Sequence, residues 1–232
     1  MTTHHLLTAT GLTKSFGAED ALRGIDLAVA PGESVAIMGP SGSGKSTLLN
    51  CLAGIIRPDG GTVSFDGADV TAMSDAARSR LRLRAFGFVF QDGQLIPELP
   101  ARENVALPLR LTGAGRRGAL RRADTILDQL GVGDQAMKLP GDMSGGQAQR
   151  VAVARAIAGV PRVIFADEPT GALDQPTGQE VMQLLTTLAR MNDSALVMVT
   201  HDATVANWCS RLVEIRDGRI HADRALDGGA GR

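Results

Sequence analysis

The segment Gly39-Pro40-Ser41-Gly42-Ser43-Gly44-Lys45-Ser46, followed by Thr47, constrains this chain more than any other. It follows an apolar run, Ser34 to Met38, and opens a stretch that reads as helix from about Gly44 to Ala53. Glycines at 39, 42 and 44 let the backbone curl so that several N–H groups point into one concavity. The helix N-terminus beneath them adds partial positive charge. A strand, loop and helix in this order cradle phosphate oxygens. The Lys45 ammonium then reaches the outer phosphates and the Ser46 hydroxyl ligates Mg2+. Every residue from Gly39 to Thr47 is a candidate nucleotide contact. A dinucleotide-binding pattern fails, because Thr47 stands at its third glycine position.

A second apolar run, Val163-Ile-Phe-Ala, ends in the carboxylates Asp167 and Glu168. A strand of this kind beside a phosphate loop turns its C-terminal end toward the nucleotide. Asp167 is then the residue near Mg2+, and Glu168 the base that orients and deprotonates an attacking water. A carboxylate base suits hydrolysis, whereas a kinase would set an acceptor hydroxyl there.

Strand-like runs at Leu6–Phe16, Leu22–Ala30, Ser34–Met38, Thr62–Phe65, Phe86–Phe90, Val163–Ala166 and Ala195–Thr200 alternate with helical stretches, and Leu212–Ile220 reads as a hairpin turning at Asp217-Gly218. Between 92 and 159 the signals are helical, broken at Pro97, Pro100, Gly113 to Gly115 and Pro140-Gly141. The helix around Gln179–Met191 sets Val181, Leu184, Leu185 and Leu188 on one face. The expected fold is α/β: a P-loop NTPase core (about 6–91 and 160–220), an N-terminal antiparallel β subdomain, an inserted α-helical lobe (about 92–159) and a flexible tail (221–232). With 232 residues the whole is expected to form a single domain.

Composition narrows the function. Net charge is −1 and aromatic residues make up 3%, which argues against nucleic acid as a partner. Cys51 and Cys209 stand far apart in no metal or disulfide spacing, so a reducing compartment fits. The adjacent His4 and His5 are read as solvated. No apolar run is long enough to span a bilayer, and the N-terminus lacks the pattern of a secretory signal. Direct membrane insertion is therefore not expected.

Ser144-Gly145-Gly146-Gln147 opens another helical stretch, Ala148 to Ala158, and so supplies a second helix N-terminus able to face an anion. With the phosphate loop, Gln91 after Phe88-Val-Phe90, Glu168-Pro-Thr-Gly-Ala-Leu-Asp174, and His201 in Val199-Thr-His-Asp202, the chain resembles the nucleotide-binding subunit of ABC transporters from about residue 6 to 220. The resemblance implies that Ser144, Gly145, Gly146 and Gln147 of one chain bind the γ-phosphate of ATP held on the other chain's phosphate loop, in a dimer of two ATP-binding subunits. It implies that Asp174 contacts the partner and that His201 touches the γ-phosphate and aligns Glu168. Gln91 would link Mg2+ and water to the helical lobe, and Phe16 would stack on adenine. Lys45, Glu168 and His201 form the implied catalytic set, and Ser46, Gln91 and Asp167 the metal set. The cofactors implied are ATP and Mg2+.

Phe86-Gly-Phe-Val-Phe-Gln91, Leu95-Ile-Pro-Glu-Leu99, Glu103-Asn-Val-Ala-Leu-Pro108 and Phe165-Ala-Asp-Glu-Pro-Thr-Gly resemble the branch serving lipoprotein release, macrolide or antimicrobial-peptide export and division-linked mechanotransmission. That branch implies a separate transmembrane permease and a place on the cytoplasmic face of the membrane. The alternative is a soluble ABC ATPase acting on nucleic acid or ribosomes. The sequence departs from the pattern where Met143 replaces a leading Leu, where Ala148 stands for a Gln or Glu, and where Asp92-Gly93-Gln94 lacks an aromatic. Arginines at 78, 80, 82 and 84, and at 110, 116, 117, 121 and 122, are read as solvated faces, or alternatively as contacts for acidic lipid or an acidic partner loop.

Overall fold

In β1 (Leu7–Phe16) Leu7 and Ala9 are buried and Thr8 and Thr10 are not, the alternation that gives a strand one core face, and a register shift after Ala9 brings Leu12 into the core as well. It lies antiparallel between β2 (Glu19–Val29) and β4 (Gly60–Phe65), with the short β5 (Ala68–Asp69) beyond β4. The computed structural model describes residues 5–226; His4 and the tail residues 227–232 lie outside the described residues. Within them the chain clusters into two units, residues 5–82 with 195–226, and Leu83–Ser194.

The first unit holds this antiparallel sheet and a second set of strands. Here β3 (Ser34–Met38) runs parallel to β8 (Ala195–Val199) on one side and β9 (Arg211–Arg216) on the other, and β10 (Arg219–Ala225) pairs antiparallel with β9. Val35, Ala36 and Ile37 are fully buried, as is all of β8. Continuous apolar runs of this kind mark strands covered on both faces. Each fully buried Val, Leu or Ile contributes about 1.5–3 kcal/mol. Helix α1 (Lys45–Leu52) buries Leu48, Leu49 and Leu52 and contacts β8, β1 and β2. The unit also holds most of α2 (Asp75–Ala85) and the short α7 (Ala203–Ala206).

In the second unit β6 (Phe86–Val89) pairs parallel with β7 (Val163–Asp167). Phe165 meets Phe86 edge-on at 5.1 Å and stacks with Phe88 at 5.6 Å. Four helices accompany the strands: α3 (Ala101–Leu111), α4 (Arg116–Gln129), α5 (Gly145–Ile157) and α6 (Gln175–Met191). Two 3-10 turns, Gly133–Gln135 and Pro140–Asp142, join α4 to α5. The fully buried Asn104 accepts from the Ile96 N–H at 2.8 Å and donates to the Ile96 and Leu99 carbonyls, which fixes the loop before α3.

Several boundaries differ from the sequence reading. The expected tail from 221 is strand as far as Ala225, because Asp223 takes both arms of the Arg211 guanidinium at 2.6 Å and holds β10 on β9. α6 begins at Gln175 rather than near 179, since Asp174 caps it and Pro176 suits a first turn. α2 and α7 were not anticipated. The arginines of α2 alternate with other residues and hide a helical period, yet they are not all solvated. Arg78 is buried and paired to Asp75, and Arg82 donates to the Gly54 carbonyl at 2.6 Å.

Candidate nucleotide site

The first unit holds the phosphate loop, His201 and Phe16. α1 begins at Lys45 with Gly44 as its N-cap, at φ 97° and with no capping side chain. Its first N–H groups are thus left for a ligand. Gly44 cannot be replaced by a larger residue without movement, since a Cβ there would lie 2.2 Å from the Ala21 carbonyl oxygen. Lys45 is 8% exposed, and its Nζ donates to the Pro40 carbonyl at 2.7 Å, inside the loop. Ser43 Oγ is buried with no hydrogen-bond partner among the described residues. An orphaned hydroxyl, an uncapped helix and an enclosed ammonium together fit phosphate oxygens.

The parallel register of β3 with β8 pairs Ile37 with Val199. Gly39 and His201 each follow two residues later, so they leave the sheet at the same edge. The Thr200 N–H donates to the Ile37 carbonyl at 3.2 Å and fixes that level, and His201 itself is exposed. At the end of β1 the Phe16 ring is 53% exposed, with Lys14 Nζ 5.4 Å from its centroid. An exposed ring beside a cation is open to stacking with another planar group.

The second unit holds Gln91, Asp167, Glu168, Asp174 and the Ser144 loop. Here β6 and β7 pair Val89 with Ala166, so Gln91 and Glu168 again follow two residues beyond the same level. Asp167 and Glu168 are half-buried. Glu168 has φ 47°, a left-handed conformation uncommon outside glycine. Strain of this sort costs on the order of 1–3 kcal/mol and clusters at functional sites. The turn that follows is closed by the Gly171 N–H donating to the Glu168 carbonyl at 3.0 Å. Gln91 lies over it, its Nε2 3.0 Å from where a Gly171 Cβ would stand.

Ser144 is the N-cap of α5 in a reciprocal capping box. Its Oγ accepts from the Gln147 N–H at 3.3 Å, and its own N–H donates to Gln147 Oε1 at 2.9 Å. Ser144 and Gly145 are exposed. Asp174 caps α6 by accepting from the Thr177 N–H and the Thr177 hydroxyl, each at 3.0 Å. Those two bonds, the backbone one first, hold its carboxyl below the usual carboxylate range.

Sequence reasoning passed over Gln149 and Arg155. Gln149 is 2% exposed and donates to the Phe90 carbonyl at 2.9 Å and the Pro169 carbonyl at 2.7 Å. Arg155 donates to the Gly93 and Gln94 carbonyls at 2.8 and 2.6 Å. One signal was available: Gln149 shares a helical face with Ala152, Val153 and Ala156, and a lone polar residue on an apolar face needs partners.

A metal here does not rest on a carboxylate cage. Among the described residues no cluster of three or more His, Cys, Asp or Glu side chains can hold a metal ion. The donors carried over from the sequence, a hydroxyl, a carboxamide and one carboxylate, are hard oxygen ligands of the sparse kind that Mg2+ accepts when phosphate oxygens and water complete its shell.

Comparison with known proteins decides the family. The model of a family described as ABC transporter matches residues 22–171, which hold the phosphate loop, the Ser144 loop and the Asp167-Glu168 strand end. This chain belongs to the ABC transporter family. Among ABC relatives, it is 44% identical over 223 residues to the lipoprotein-releasing system ATP-binding protein LolD 2 of Caulobacter vibrioides, covering 94% of this chain and 98% of that one. It is 45% identical over 231 residues to the macrolide export ATP-binding/permease protein MacB of Marinobacter nauticus, covering 98% of this chain but 36% of that longer protein. The fold aligns at a TM-score of 0.88 and 39% identity with the dimeric ATP-binding cassette MJ0796 in a post-hydrolysis state bound to ADP and Pi, covering 96% of this chain and 99% of that one. The chain is thus an ABC ATPase cassette. Among the described residues no helix is long and apolar enough to cross a membrane.

Proposed function

We propose that this cassette is the ATP-hydrolysing subunit of a membrane export or extraction complex. It pairs with a second copy of itself and drives a separate transmembrane permease from the cytoplasmic face of the membrane. Its cargo is lipoprotein, peptide or drug, or it transmits force alone. The names of its relatives, a lipoprotein-releasing and a macrolide export protein, favour such a complex over a soluble ATPase acting on nucleic acid or ribosomes.

In this reading Gly39 to Thr47 hold the phosphates, with Lys45 exchanging its Pro40 carbonyl for phosphate oxygens and Phe16 stacking on adenine. Ser46 and Gln91 would hold Mg2+, with Asp167 close by, and the bound ion would neutralise charge on the phosphates. Glu168 accepts a proton from the attacking water, and His201 fixes the γ-phosphate and that water. Ser144, Gly145, Gly146 and Gln147 serve the ATP of the partner subunit, and Asp174 lies against that subunit.

The observation that carries the hydrolytic role is the backbone of Glu168, held in a left-handed turn at the end of β7 and level with Gln91. Glu168→Gln is expected to lower steady-state ATP turnover by about 100-fold or more, the scale of a lost general base. On size-exclusion chromatography with ATP the variant is expected to elute as a dimer. Turnover at the wild-type rate would refute the role given to Glu168.

A further inference from the structure

Gln149 touches two loops of the second unit at once, the one after β6 and the one after β7. Its side chain is 2% exposed, and its carboxamide nitrogen donates one N–H to the Phe90 carbonyl and the other to the Pro169 carbonyl. Phe90 immediately precedes Gln91, and Pro169 immediately follows Glu168. Both donors are used, so a flipped amide would turn its oxygen on two carbonyl oxygens; the orientation is fixed by the bonds themselves. On the other side, Gly93 is buried with φ 69°, and a Cβ there would approach Gln149 Oε1 to 3.3 Å and Ala152 Cβ to 3.4 Å. The loop after Gln91 thus lies flat against α5. Arg155, further along the same helix, adds bonds to the Gly93 and Gln94 carbonyls. Burial lowers the basicity of that guanidinium, but it keeps its charge and all its donors.

Two side chains of α5 therefore hold the carbonyls of Phe90, Gly93, Gln94 and Pro169. The same helix is capped by Ser144, about 7.5 Å along its axis from Gln149 at 1.5 Å per residue. We propose that Gln149 is a positioning residue that fastens the Ser144 helix to the strand ends carrying Gln91 and Glu168, so that a displacement of the Gln91 loop is passed to both the water-activating carboxylate and the helix offered to the partner subunit. The inference rests on the roles given above to Gln91 and Glu168. It adds a specific mechanical link within one chain: one carboxamide through which these three motifs move together.

The test uses the full chain and Gln149→Met, which keeps length and apolar bulk but has no N–H. ATP-saturated kcat is expected to fall by about 10-fold or more, while monomer affinity for a fluorescent ATP analogue changes by less than about 2-fold, because the phosphate loop is untouched. Melting curves confirm that the variant is folded at the assay temperature, and Gln149→Asn, which reaches one carbonyl but not both, is expected to be intermediate. In a cycle with Gln91→Ala, the double variant is expected to lose no more kcat than the worse single variant. Additive losses would overturn the link, because they would mean that Gln149 supports folding without acting through Gln91. Hydrogen exchange gives a readout independent of turnover: in Gln149→Met the amides of residues 91–94 and 170–171 are expected to exchange faster together. Unchanged exchange in either segment would overturn the proposal even if the chain proved inactive. An inactive wild type with coupled exchange would instead contradict only the hydrolytic roles of Gln91 and Glu168.

Discussion

Gly146 packs so closely on Thr177 that a Cβ added there would lie 2.4 Å from the threonine Cγ2. The second glycine of the Ser144 loop is therefore a packing requirement within one chain, where the first turn of α5 meets the capped end of α6. Its neighbour differs: a Cβ on Gly145 would meet only Leu173 Cδ2, at an ordinary 3.5 Å.

Gly146→Ala is accordingly expected to lose up to about 2 kcal/mol of folding stability, because overpacking costs about 1–3 kcal/mol and the better helix propensity of alanine returns ~1 kcal/mol. Gly145→Ala is expected to be neutral or slightly stabilising. Urea denaturation midpoints of the two variants, compared with the parent, check the contrast.

The exposed ring of Phe16 separates binding from folding. Phe16→Ala is expected to weaken binding of a fluorescent ATP analogue by about 1–3 kcal/mol, the scale of base stacking on an aromatic ring. Because the ring is 53% exposed, the melting temperature is expected to change little. Phe16→Trp keeps a stacking face and should preserve affinity. Equal affinities for the alanine variant and the parent would remove Phe16 from the nucleotide contacts.

Asp174 yields a pH dependence with a definite sign. Bonds from Thr177 lower its folded pKa below the unfolded value of 3.8. Its contribution to stability is thus fully present above that value and lost as pH falls through the depressed folded pKa. The difference in urea midpoint between the parent and Asp174→Ala is expected to be constant from neutral pH down to about pH 5 and to shrink below about pH 4. A difference that persists unchanged at pH 2 would mean that the cap does not depend on ionised Asp174.

The order of the motifs along the chain carried most of this fold. Gly39 to Ser46 demanded a strand before and a helix after, and β3 and α1 stand there. Fully apolar runs such as Val163 to Ala166 and Ala195 to Val199 were legible as buried strands because nothing in them faces water. The period-2 arginines of α2 obscured a helix, because Arg78 is buried against the Met73 carbonyl and paired to Asp75, and Arg82 donates to the Gly54 carbonyl. The true extent of β10 depended on the Arg211–Asp223 pair, a contact across a hairpin that the residue types of β10 alone do not announce. In the candidate site, residue types at fixed spacing singled out Lys45, Glu168 and Ser144 as candidates. Gln149 escaped because its hydrogen bonds go to two carbonyls remote in sequence, at Phe90 and Pro169. Carbonyl groups leave no mark in a sequence, and neither does the left-handed backbone of Glu168.

The central claim is that an ATP site is completed by the Ser144 loop of a second copy of this chain, and mixing two disabled variants tests it most directly. Lys45→Met removes the phosphate-binding ammonium and Ser144→Arg blocks the loop offered to the partner, so each alone is expected to hydrolyse ATP at a small fraction of the parent rate. In a mixed dimer, the intact phosphate loop of the Ser144→Arg chain faces the intact Ser144 of the Lys45→Met chain. Steady-state ATP turnover is therefore expected to reappear on mixing, at up to about a quarter of the parent rate, since about half of the dimers are mixed and each has one complete site. Turnover that stays at the sum of the two separate variants would contradict the account and return the Ser144 loop to its own chain's nucleotide.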